Sequence, residues 1–140
     1  MEFLICWGQD DFAKKIDALR HQHDFDFFGD YINRITGGDI IWMFATEQSH
    51  FVLVAKVLIA KAQCKKTDFG SYAIYGWATF YETSSQNERF EQVIRSLGLS
   101  PIWNDKLYVH FQGTNSVRKL EPEDNAKIDK FAGTLQLWSD

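Results

Sequence analysis

The sequence predicts an α+β domain, with a strongly curved mixed sheet or small β-barrel of about five or six strands and about three or four flanking helices. Three observations carry this. Apolar runs in the middle of the chain are separated by connections too short for a crossover, which makes them antiparallel neighbours. Helical stripes of period 3.6 lie between and after them. The chain has 140 residues, of which 45% are hydrophobic, enough for one core in one domain spanning residues 1–140.

Phe3 to Trp7 (FLICW) reads as a buried strand that Gly8 breaks. A helix is expected from Gln9 to His21, with Phe12, Ile16 and Leu19 on one face and Asp10 and Asp11 at its favourable N-terminal end. The aromatic and acidic stretch from His21 to Phe28 reads as a loop. A short helix from Gly29 to Ile35 should then stop at the Gly37-Gly38 turn. Asp39 to Ala45 is the second strand, Thr46 to Ser49 a polar connection, and Phe51 to Ala60 a central strand apolar on both faces. Lys61 to Gly70 reads as a charged loop. Ser71 to Glu82 is the fourth strand, with Tyr75, Trp77, Thr79 and Tyr81 on one face and Ile74, Ala78 and Phe80 on the other. Gly76 within it permits a bulge or a close backbone approach.

Ser85 and Glu88 have capping-box spacing ahead of the stripe Phe90, Val93, Ile94 and Leu97, and Gly98 closes that helix. Lys106 to Gln112 reads as a fifth strand and Ser116 to Leu120 as a short sixth. Pro122 starts a last helix to Phe131, with Ile128 and Phe131 inward, and Leu135 to Trp138 reads as a final strand.

The bulk properties exclude several function classes. A net charge of −4 argues against a non-specific duplex binder and against a typical RNA-reading surface, so any nucleic-acid contact should be local and pocket-like. The basic clusters at Lys14-Lys15, Lys61 to Lys66 and Arg118-Lys119 read as solvated faces or turns. Two cysteines, Cys6 and Cys64, are too few for a disulfide framework and read as reduced, near-core residues. The opening run lacks a basic region, and Lys56 interrupts the longest apolar stretch, so no signal peptide or membrane span is expected and the protein should be cytoplasmic. His21-x-His23 lacks the spacing of a zinc site, and no metal or cofactor is expected. No nucleophile, phosphate loop or acid–base pair is evident, so the chain reads as a binding protein and not an enzyme.

Twelve Phe, five Trp and five Tyr remain to be explained. Phe3, Phe44, Phe51, Phe80 and Phe90 are expected in the core. Trp7 sits at a strand end before a glycine, Phe25 and Phe27 lie among acids, and Trp42 and Trp77 lie inside apolar strands. Such π-faces suit stacking on a nucleobase or filling a core.

Taken in order, these pieces resemble the PUA-like superfamily, in its EVE and YTH branches, over Phe3 to Ile128. FLICWGQDDFAKKI is similar to the opening strand and helix, and GGDIIWMF to the glycine-aspartate turn and strand that follow the pocket loop. IIWMF with SHFVLVAKVLIAK resembles the hairpin that enters the central strand. DFGSYAIYGWATFYE is similar to the next turn and strand, and HFQGTNSVRKLEPEDNAKI to the closing segment. The resemblance implies a reader that takes a modified base, methylated above all, into an aromatic pocket. By position, the cage aromatics would fall at Phe25 or Phe27 and at Phe69. Trp7, which stands where relatives have Lys followed by Ser, would add a stacking wall. Trp42 and Trp77 are further candidate walls, and Asn33 and Ser49 would read the Watson–Crick edge. The implied partner is modified DNA or RNA, with DNA favoured, and the implied role is the specificity module of a larger modification-dependent restriction or antiphage polypeptide. The alternative is a small-ligand or protein-interaction domain on the same scaffold, with the aromatics as core.

Overall fold

A computed structural model describes residues 1–7, 25–29, 32–47, 50–67, 70–99, 111 and 116–139. Six strands form one sheet: β1 (Glu2–Trp7), β2 (Phe25–Gly29), β3 (Ile40–Glu47), β4 (His50–Thr67), β5 (Gly70–Phe80) and β6 (Val117–Leu120). Their order is β2-β5-β4-β3-β1-β6. β3, β4 and β5 are an antiparallel meander, whereas β1 runs parallel to β3 and antiparallel to β6. The architecture is therefore α+β with a mixed sheet. Among the described residues the sheet is open, ending at β2 and β6, and does not close into a barrel.

Two helices are found among the described residues, α1 (Arg89–Arg95) and α2 (Pro122–Ala132), fewer than expected. The helix expected over Gln9 to His21 and the strand expected over Lys106 to Gln112 lie outside the described residues, apart from Phe111, which is buried.

Strand alternation sorts the core into two clusters on opposite faces of the sheet. One collects Phe3, Ile5, Ile41, Met43, Val52, Val54, Val57, Ile59 and Ile74, with Ile32 and Ile35 packed on it. The other collects Leu4, Trp42, Phe44, Phe51 and Leu53 beneath Phe90 and Ile94 of α1 and Ile128 and Phe131 of α2. β4 feeds both, as its two-sided apolar pattern predicts. Phe44 is the hub of the helix-side cluster, with ring centroids 5.1 Å from Phe51, 5.0 Å from Phe111 and 5.8 Å from Phe90. The edge-to-face arrangements with Phe51 and Phe111 are favourable for aromatic quadrupoles.

Three expectations about local structure are corrected. Residues 25–29 form an edge strand, not a loop, with Phe25 opposite Gly76 and Phe27 opposite Ile74. The alternation of Asp24, Phe25, Asp26 and Phe27 is itself a short period-2 signal of a strand, which Phe28 interrupts. Residues 61–67 likewise extend β4 to 18 residues. There Lys61, Ala62 and Gln63 alternate polar and apolar, with Lys61 exposed and Ala62 packed against the first cluster. No helix spans 29–35. β2 runs to Gly29, and a turn closed by Ile35 N–H donating to the Ile32 carbonyl (3.1 Å) drops both isoleucines into the core.

The Gly37-Gly38 turn does follow, with Gly38 at φ +92, a conformation that favours glycine. The Asp39 carboxylate accepts the Thr36 N–H at 2.9 Å and anchors it.

The capping box also fails to form. Ser85 Oγ donates to Glu82 Oε2 (3.0 Å), and α1 begins at Arg89 with no side-chain cap. The stripe behind it holds, because Phe90, Ile94 and Leu97 are buried. Pro122 opens α2 as expected, and the tail makes one antiparallel bridge, Leu137 to Tyr81.

Candidate functional site

The helices cover only part of their face of the sheet. α2 lies over Leu4 and Trp42, and its margin is marked by Asp129, whose Oδ1 is 3.7 Å from Lys56 Nζ. From that margin outward β4 and β5 carry, row by row, Lys56 with Thr79 at the margin itself, then Leu58 with Trp77, and Lys61 with Tyr75. Trp77 is 58% exposed and Leu58 47%, an adjacent apolar pair in solvent. Thr79 and Lys61 are exposed, and Tyr75 is half-buried, its hydroxyl accepting a long bond from Gln63 Nε2 at 3.5 Å. A large aromatic this exposed on a regular strand is the unusual observation of the molecule.

The expected site residues do not all gather there. Trp77 is on the surface, on the same side of its strand as Tyr75 and Thr79, the grouping that alternation predicts. The backbones of Phe25 and Phe27 lie in the adjacent strand β2. Trp42 is no pocket wall: it is 1% exposed and roofed by α2, with its indole Nε1–H donating to Asn125 Oδ1 at 2.7 Å. The reason is register. Trp42 pairs with Lys56, inside the helix-covered part of the face, and Lys56 stands over its ring at 5.0 Å.

The sheet separates Trp7 from Trp77. Trp7 is level with Ala45 and Val52, whereas Trp77 is level with Leu58, Ile40 and Glu2. Five residues and three strands apart, the two backbones are separated by on the order of 20 Å. Asn33 is exposed in the turn whose isoleucines pack on the opposite face, so it does not share a surface with Trp77. Ser49 and Phe69 lie outside the described residues, between the paired ends Glu47–His50 and Thr67–Gly70.

Leu58 and Lys61 were not singled out by sequence reading. Leu58 was hidden in a run that looked buried on both faces, and Lys61 in what read as a loop. The signal that finds them is the extension of period-2 alternation from Lys61 to Gln63.

Chemically the described part of this surface offers stacking and positive charge. Burial pushes the Cys6 thiol up to about 12, so it is no thiolate at neutral pH. Among the described residues no group of His, Cys, Asp and Glu could hold a metal ion, and the His21-x-His23 pair lies outside them. No helix among the described residues is long and apolar enough to cross a membrane.

Comparison with solved structures finds the same fold elsewhere. A hypothetical protein from Leishmania major superposes with a TM-score of 0.61 at 11% identity, the match covering 94% of each chain. A protein from Pseudomonas syringae matches with a TM-score of 0.60 at 11% identity, over 94% of this chain and 99% of its own. One from Pseudomonas putida gives 0.59 at 14% identity, with the same coverages. At these identities the likeness is one of fold alone. No protein-family profile and no curated protein matches the sequence.

Proposed function

We propose that this chain is a PUA-like domain of the EVE/YTH type that binds nucleic acid and holds a modified, methylated base against an aromatic surface. The observation that carries the reading is Trp77, 58% exposed on β5 beside Leu58. The order of sequence segments that resembles the superfamily supports it, as does a mixed sheet with parallel β1 and β3. In this reading the domain is a cytoplasmic specificity module of a modification-dependent restriction or antiphage protein, DNA is the favoured polymer, and the chemistry is binding without catalysis.

The energetics are those of an unstacked base. Leaving a duplex stack costs a few kcal/mol, and stacking on an aromatic face returns about 1–3 kcal/mol per base. A buried methyl adds about 0.8 kcal/mol, so discrimination by one methyl is about fourfold unless hydrogen bonds add to it.

Titration of intrinsic tryptophan fluorescence with methylated and plain oligonucleotides tests this. Trp77→Ala is expected to weaken binding roughly 5- to 150-fold. Trp42→Phe is expected to leave binding unchanged while lowering stability by about 1–3 kcal/mol, because it strips the Asn125 hydrogen bond and leaves a small void. Absence of any oligonucleotide binding, or binding indifferent to Trp77→Ala, would sink the reading.

A further inference from the structure

The rows flanking Trp77 carry information about the shape of the nucleic acid. Lys61 is level with Tyr75 and Lys56 with Thr79, one row to either side of the Leu58–Trp77 row. The two lysine rows are four β5 residues apart, about 13 Å at a strand's rise. That is the axial length of roughly four stacked nucleotides at about 3.4 Å each, and of fewer when the bases are splayed.

No carboxylate partner of Lys61 is found among the side chains described, and its row continues into β2 with Asp26 opposite Tyr75. Lys56 stands over the Trp42 ring at 5.0 Å and shares a loose pair with Asp129, in which both side chains are solvent-accessible. Exposed pairs of this kind are weak and exchange readily. The surface around Trp77 is a sheet face bounded on one side by α2, with the indole standing in the middle. A duplex keeps its base faces stacked inside and would present phosphates and groove edges to such a surface, with no base face for the indole to stack on. An unpaired strand can lay one base on the indole and its neighbouring phosphates on the lysines.

We infer that the β4–β5 face is a track for single-stranded nucleic acid about three to four nucleotides long, with Trp77 and Leu58 under one base and Lys61 and Lys56 on the flanking phosphates. This rests on the proposed nucleic-acid reading and adds strandedness, footprint and polar contacts to it. It also explains how a protein of net charge −4 binds a polyanion: two placed lysines serve where no broad basic field exists.

The test is the salt dependence of oligonucleotide binding, read by tryptophan fluorescence with plain and methylated single strands and the matching duplex. Two phosphate contacts give a slope of log K against log salt of about −1.4, and Lys61→Ala should halve it to about −0.7. Asp129→Asn, which releases Lys56, should tighten binding. Trp77→Phe should keep most of the affinity that Trp77→Ala loses, and unchanged thermal melts would show that these surface variants fold.

Duplex binding equal to single-strand binding, or a slope unmoved by Lys61→Ala, overturns the track while leaving the base-reading proposal intact. Single strands bound with the expected slope whether or not they are methylated support the track and overturn modification reading. A Trp77-dependent dimer in sedimentation, with no oligonucleotide bound, overturns both.

Discussion

Gly76→Ala is expected to lower the melting temperature by about 10 °C, corresponding to about 3 kcal/mol or more of lost stability. A Cβ at this position would lie 2.2 Å from the carbonyl oxygen of Leu58 and 3.0 and 3.1 Å from the Leu58 carbonyl carbon and the Ile59 Cα. All three are backbone atoms of β4, which is held on its other side by β3 and cannot step away. The close approach arises where β4 bulges between Ile59 and Lys61, directly opposite Gly76. Alanine also restricts the unfolded chain, which stabilises by about 0.4–1 kcal/mol and offsets only part of the clash. Circular-dichroism melts measure the difference. A variant that melts within about 2 °C of the parent would show that the sheet yields more easily than close packing allows. Because Trp77 is the next residue, the proposed nucleic-acid reading also expects this variant to weaken oligonucleotide binding by shifting the indole.

Gln86→Ala should cost about 3–5 kcal/mol, from three lost hydrogen bonds and a void. Gln86 is completely buried, yet it is an amide in a loop. Its Oε1 accepts the Leu53 N–H at 2.7 Å, and its Nε2 donates to the Leu53 carbonyl at 2.8 Å and the Glu82 carbonyl at 3.1 Å. β5 ends at Phe80, and Tyr81 makes the last ladder bond, donating its N–H to Val54. The side-chain amide then takes the place of the next peptide group of the missing strand. Alanine leaves both backbone groups of Leu53 buried without that partner. Gln86→Glu is the sharper probe. Its carboxylate can still accept from the Leu53 N–H but must face the Leu53 and Glu82 carbonyls. The folded state therefore favours the protonated acid, whose pKa rises above the unfolded value. The loss of stability should be large at pH 7 and shrink as pH falls through the folded pKa. Chemical denaturation at pH 7 and pH 5 checks this, and a deficit equal at both would contradict the assigned hydrogen bonds.

That β5 tolerates a glycine at position 76 for a bulge or close approach follows from its alternation, because an isolated glycine in a strand has few other uses. Gln86 carries no such signal. A buried glutamine and an exposed one look alike in a polar stretch, and only the tertiary neighbour distinguishes them. The meander, the short strand Val117–Leu120 and the proline-started helix are written in local periodicity, and all were expected.

The strands at 25–29 and 61–67 were obscured by their polar residues, since Asp26 among phenylalanines and the lysines at 61, 65 and 66 look like loop composition when the short period-2 stretches are not counted. Their pairing with β5 supplies the hydrogen bonds that local composition does not announce. At the candidate surface, strand phase made legible that Trp77 shares a face with Tyr75 and Thr79. The burial of Trp42 was not legible, because it is decided by where α2 lies and not by strand phase.

The position of β1 in the sheet has a consequence in time. Its partners are β3 and, on the other side, β6, so Glu2 pairs with Ile40 and with Leu120. During synthesis β1 emerges before the other five strands, yet one of its edges has no partner until Val117–Leu120 has followed, more than a hundred residues later. The β3–β4–β5 meander, built from neighbours in sequence, closes short loops and is expected to fold early, while β1 and β6 wait on the costlier long-range closure. Pulse-labelling hydrogen exchange should show Val52 and Val57 protected before Leu4 and Arg118, and simultaneous protection would argue against this order. The strand made first is thereby the one completed last.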